Sequence, residues 1–153
     1  MTEFLADSHP FIVHFAIALT MMSVLFDLVG AVAKPAHFET TGLSLAIAAV
    51  PFLLCAVLTG NAAETLGAFA YSSEMLEQHT LFANLTVWFF SAIVFARVYL
   101  TVRKQFSGTV KYAYLAVAIA AAVFAFYTGM HGGRLSDTGR TATLRTESIR
   151  NFS

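Results

Sequence analysis

Phe11 to Ala33 reads FIVHFAIALTMMSVLFDLVGAVA, an apolar run whose only ionisable side chains are His14 and Asp27. A helix needs about 20 such residues to cross the hydrocarbon core of a bilayer, so this run reads as a membrane span. Three further windows of the same kind follow. Gly42 to Thr59 carries Pro51 and Cys55, Thr80 to Val102 carries Arg97, and Lys111 to Met130 is alanine-rich with Tyr112, Tyr114, Phe124, Phe126 and Tyr127. Helices over about 10–33, 42–60, 79–103 and 111–131 with short links predict an all-α membrane protein, a four-transmembrane-helix bundle of up-down-up-down topology. Residues 1–135 make up that domain, and 136–153 form a polar C-terminal tail.

Composition agrees. Of 153 residues, 58% are hydrophobic and 12% charged, with a mean hydropathy of +0.70. A soluble domain carries about 25% charge, so here lipid must cover most of the surface. Nine Lys and Arg balance nine Asp and Glu, which removes the basic excess that nucleic-acid binding needs. A single cysteine, Cys55, excludes an intramolecular disulfide, a four-cysteine zinc or iron–sulfur site, and covalent haem attachment through C-x-x-C-H. In mid-helix among Leu54, Ala56 and Val57, Cys55 is expected to be a buried, inert thiol. Nothing else in the chain favours nucleophilic catalysis.

Ala31-Val32-Ala33 resembles a signal cleavage site, but Met1 to Ser8 holds Glu3 and Asp7 and no Lys or Arg, so the first span is expected to stay as an anchor. Ser8 or His9 is expected to cap it, with Pro10 in the first turn. The longest link, Gly60 to His79, is expected to hold a short helix over Ala62 to Ala70, and the tail to be mobile. No convincing internal repeat is found.

Alternating topology brings four of the five histidines to one membrane face: His9 and His14 open the first helix, His79 opens the third, and His131 closes the fourth. His37 falls at the other face. Ionisable groups at membrane depth are costly and usually turn inward. Asp27 follows His9, and Arg97 follows His79, by the same 18 residues, a spacing that returns to the same helical face. Helices one and three run in the same direction, so Asp27 and Arg97 are expected level with each other as a structural ion pair holding helix register. The remainder of the His9 face, Ala16, Thr20 and Ser23, suits helix contact in lipid.

Two imidazoles projecting from diagonal helices are the usual axial ligands of a haem in a bundle. His79 is one candidate for the iron, and His14 (by depth) or His9 (by level and face) the other. His131 and the remaining histidine are candidates for haem propionates or a second haem, with Gly132 and Gly133 allowing close approach of a bulky group. Zinc or copper is the alternative occupant. His9 and His14 point about 140° apart, and Glu77 precedes His79 by two rather than three residues, which weakens a compact metal site. Histidines at one face argue against haems stacked across the bilayer. Trp88 and the other aromatics read as packing or lipid-facing groups.

The run His9-Pro10-Phe11-Ile12-Val13-His14-Phe15-Ala16-Ile17-Ala18-Leu19, followed by Asp27, resembles the opening of a bacterial family of predicted four-span membrane proteins, domain-of-unknown-function family 2231. Further resemblance lies in Thr59-Gly60 with Glu64, in His79 with Asn84, and in Gly129-Met130-His131-Gly132-Gly133-Arg134-Leu135. Ala16 departs from the family's usual proline, and Ser136-Asp137-Thr138-Gly139 lacks a further histidine found in many members. Members also occur fused to Rieske domains, so the resemblance implies a redox setting and a haem-binding role.

Lys34, Arg103, Lys104 and Lys111 flank the histidine-poor face, whereas the Gly60–His79 link has Glu64, Glu74 and Glu77 and no Lys or Arg. The positive-inside rule then puts the histidines on the periplasmic or extracellular side of a bacterial inner membrane, against the pull of Arg134, Arg140, Arg145 and Arg150 in the tail. The expectation is a small b-type cytochrome subunit rather than a stand-alone enzyme. It would exchange electrons with quinol or a peripheral redox protein inside a larger membrane complex. A non-redox structural or assembly subunit is the alternative.

Overall fold

A computed structural model describes residues 2–33, 36–66 and 73–151. They form four helices, α1 (Thr2–Ala33), α2 (Ala36–Thr65), α3 (Ser73–Val102) and α4 (Gly108–Asn151), each containing a stretch long and apolar enough to cross a membrane. α1 packs against α2, α2 against α3, α3 against α4 and α4 against α1, while the backbones of the diagonal pairs α1/α3 and α2/α4 make no close approach among the described residues. Neighbouring helices run antiparallel. The start of α1 meets the end of α2 at His9 and Thr59, and the middle of α3 meets α4 at Thr86 and Thr128, whose hydroxyls lie 3.2 Å apart.

The helices start earlier than the apolar runs, because the flanking polar residues are themselves good helix formers. α1 begins at Thr2 with Glu3 in its first turn, where an acid favours the helix dipole. Pro10 therefore sits inside the helix rather than opening it, and its missing N–H leaves the Ala6 carbonyl without its helical partner. Neither Ser8 nor His9 caps: the Ser8 hydroxyl donates to the Phe4 carbonyl, 2.6 Å away. Residues 62–65 continue α2 instead of forming a separate helix, and 67–72 lie outside the described residues. The polar tail is likewise a continuation of α4 to Asn151, although the apolar stretch ends at Gly133. Phe152 and Ser153 lie outside the described residues.

The core is built of small side chains, with Ala16, Ala46, Ala49, Ala118, Ala121 and Ala122 almost fully buried. In lipid, helices gain nothing from hiding apolar groups, so close backbone approach supplies the dispersion energy instead. The α1–α2 interface is the tightest. A Cβ at Gly42 would lie 2.5 Å from Asp27 Oδ1, so only glycine fits there. Trp88, Phe95 and Leu58 point outward, as does Cys55. The thiol expected in the interior thus faces the lipid side, because its position on α2 is rotated away from the buried Ala49 and Leu53.

α3 ends in a tight turn in which the Gln105 N–H donates to the Leu100 carbonyl (2.8 Å) and the Lys104 N–H to that of Thr101 (3.0 Å). This pairing requires a left-handed residue, and Lys104 takes that role at φ 56°.

Candidate cofactor site at the histidine end of the bundle

His9 lies two turns into α1 and reaches α2. Its Nδ1 is 3.0 Å from Thr59 Oγ1, while the Thr59 hydroxyl donates to the carbonyls of Cys55 (2.8 Å) and Ala56 (3.1 Å). With its proton engaged there, Thr59 accepts from His9. The Ala56 carbonyl is a second acceptor beside the same ring. The hydrogen-bond network therefore assigns the imidazole proton to Nδ1 and leaves Nε2 with a free lone pair. The ring rests on Gly60, where a Cβ would come within 3.1 Å of His9 Cε1.

His79 lies in the second turn of α3 and has the same kind of seat. A Cβ at Gly132 of α4 would come within 2.9 Å of its Cε1. Its Nδ1 is buried and has no hydrogen-bond partner. An orphaned buried nitrogen is uncommon and calls for a reason.

Both residues line a cavity of about 460 Å³ to which all four helices contribute, within the size range of small-molecule and cofactor sites. His9, His14 and His79 line it, with Gly132 and Gly133 along its α4 wall and Asn61, Glu64 and Asn84 supplying polar groups. A narrower extension of about 60 Å³, also bordered by both His9 and His79, reaches towards Thr86 and Thr128.

The other histidines are placed differently. His14 is exposed, and its Nδ1 is 2.6 Å from the Pro10 carbonyl of its own helix. His131 lies 4.3 Å from the Tyr127 ring, tilted 45° to it, and its Nδ1 is 3.3 Å from that residue's carbonyl oxygen. His37 is at the opposite end against Phe38. Among the described residues, no three His, Cys, Asp or Glu side chains are grouped to hold a metal ion.

At the far end of the bundle Arg97 Nη2 lies 3.3 Å from Asp27 Oδ1, both side chains 2% exposed. The Tyr114 hydroxyl donates to Asp27 Oδ2 at 3.2 Å, and Arg97 Nη1 to Thr101 Oγ1 at 2.9 Å. The guanidinium also lies 3.1 Å above the centre of the Phe106 ring. Glu39 and Lys111 form a second ion pair beside it. Ion pairs and aromatic rings thus fill this end of the bundle.

The family model for predicted membrane proteins designated DUF2231 matches residues 7–145, nearly the whole chain. The chain belongs to that family. No curated protein and no solved structure matches it, so within DUF2231 the chemistry of this site has to be read from the site. Sequence reasoning missed Thr59 as the partner of His9, since the two are separated by almost the length of a hairpin. It also missed the Glu39–Lys111 and Tyr114 additions to the far-end network, which reside on helices whose relative rotation no periodicity reveals.

Proposed function

We propose that this protein is a small b-type haem-binding electron-transfer subunit, with a bis-imidazole site near one membrane face. The observation that carries this reading is the pair of imidazoles presented from diagonal helices to one cavity of about 460 Å³. His79 supplies one ligand and a histidine of α1 the other. Gly133, with nothing within 4 Å of where a Cβ would stand, lets a flat macrocycle approach the α4 backbone, and the separation of the α1 and α3 backbones leaves room for it. When bound between two imidazoles, haem supplies one-electron transfer; the protein's own contribution is to hold the rings, exclude lipid and set the local polarity. Quinol or a peripheral redox protein is the partner in this reading, within a larger complex of the bacterial inner membrane, with the site facing outward.

Zinc or copper fits less well, since the histidines are spread round a cavity rather than converging in threes or fours. A structural or assembly role is favoured by one observation: His9, His14 and His131 each already have a hydrogen bond inside the chain. Oxidised and reduced visible spectra of protein purified from haem-replete cells separate the readings. A reducible Soret and α band lost in His79→Ala supports the cytochrome; a colourless preparation sinks it, and metal analysis of the same sample then judges zinc and copper.

A further inference from the structure

The two helical hairpins are related by a rule that residue identity conceals. Buried positions of α1 recur in α3 at a constant offset of 70 residues: Ala16 with Thr86, Thr20 with Phe90, Val24 with Val94. In α2 and α4 the offset is 72, as in Ala46 with Ala118 and Ala49 with Ala121. The two-residue difference is taken up in the α3–α4 turn, so that Ala36 at the start of α2 corresponds to Gly108 at the start of α4. Such a correspondence between parallel diagonal helices describes an approximate two-fold axis along the bundle, of register and buried face rather than of helix spacing, since α1 packs more closely on α2 than α3 does on α4; parallel repeats in transporters are arranged about such an axis.

Groups that touch their own counterparts must lie on that axis. Asp27 and Arg97 are counterparts under the first offset and form an ion pair. Glu39 and Lys111 are counterparts under the second and form another. At the opposite end the counterparts are His9 and His79, each seated on a glycine, Gly60 and Gly132, which are themselves counterparts. His14 corresponds to Asn84, and Thr59, the partner of His9, corresponds to His131.

We infer that the cavity lies on an internal two-fold axis, that His9 and His79 are its matched ligands through Nε2, and that Thr59 positions His9. The occupant would then be a group that one imidazole from each hairpin can hold, as two imidazoles can hold a haem. The ligand assignment rests on the haem reading; the axis does not. His14 is excluded from the pair because its symmetry mate is an asparagine and because it is exposed, whereas His9 and His79 are half-buried. The seats of the two imidazoles differ in their Nδ1 partners. Thr59 fixes the His9 tautomer, whereas His131 in the equivalent place bonds Tyr127 instead and leaves His79 Nδ1 unpaired.

The test uses the full chain in detergent. Haem titrations are run on the wild type, His9→Ala, His79→Ala, His14→Ala and Thr59→Val, with optical and electron paramagnetic resonance spectra. His9→Ala and His79→Ala are each expected to turn a six-coordinate low-spin haem into a five-coordinate high-spin one that added imidazole rescues. His14→Ala leaves the spectrum unchanged, and Thr59→Val weakens haem binding by about 10-fold while remaining low-spin. A low-spin spectrum that survives His9→Ala, or is lost in His14→Ala, overturns the pairing. Spin-label distances on a Cys55→Ser background test the axis without haem. The exposed pair Phe11–Met130, across α1 and α4, and its counterpart Leu81–Leu58, across α3 and α2, should give closely similar distances, and clearly different distances overturn the axis. A wild type that takes up no haem overturns the proposed function and the ligand roles together, and the axis then stands or falls on the spin-label result.

Discussion

Replacing Asp27 by asparagine keeps the shape of the side chain and removes its charge, leaving Arg97 ionised at a site where it is 2% exposed. Arginine does not escape by losing its proton. Its remaining partners are Thr101 at 2.9 Å, the Glu39 carbonyl at 3.5 Å and the Phe106 ring, all neutral, and its Nε already has no partner. Breaking a buried pair by removing one charge costs about 3–5 kcal/mol, so Asp27→Asn is expected in that range. Arg97→Met should cost less, about 1–3 kcal/mol, because Asp27 keeps the Tyr114 hydroxyl (3.2 Å) and neutralises itself by taking up a proton. Combining Asp27→Leu with Arg97→Met should recover most of the loss, since a buried pair exchanged for apolar groups of similar volume is often close to neutral. Reversible unfolding in mixed micelles, followed by circular dichroism, gives the three free energies, and adding Asp27→Leu alone closes the cycle that gives the coupling. If Asp27→Asn lies within about 0.5 kcal/mol of wild type, the range expected of an uncoupled surface change, the pair is not the brace described here.

Two further outcomes follow from local geometry. Lys104 holds a left-handed conformation at φ 56°, which costs a non-glycine residue roughly 1–2 kcal/mol; after the entropy that glycine loses on folding, Lys104→Gly should stabilise the fold by up to about 1 kcal/mol, and a lower melting temperature would contradict this. Cys55 faces outward in mid-helix, so a lipid-soluble maleimide should label it in membranes while a charged methanethiosulfonate should not; equal labelling by both would place it in water.

Some of the site was legible because its signals are local. The low charge count and four apolar windows require lipid, and the parity of four antiparallel spans sends His9, His14, His79 and His131 to one end. The common spacing of His9–Asp27 and His79–Arg97 also put those groups on matching faces. Helix ends were not legible: the chain around Pro10 tolerates a proline either at the first turn or, with one carbonyl left free, inside the helix, and only neighbouring packing selects between them. The outward turn of Cys55 was hidden for a related reason, since a helix apolar all round has no face that the sequence marks as inner.

Sequence by itself determined the environment, the number of spans and which end carries the imidazoles, because solvent and periodicity act on each segment independently. Tertiary structure decided which histidines share a cavity, which nitrogen of His9 carries the proton, and that Glu39–Lys111 and Tyr114 join the Asp27–Arg97 pair expected from the sequence. Those properties depend on the rotation and depth of one helix against another, and in lipid that is set by small-residue packing at positions such as Gly42, Gly60 and Gly132, whose role appears only when the helices are side by side.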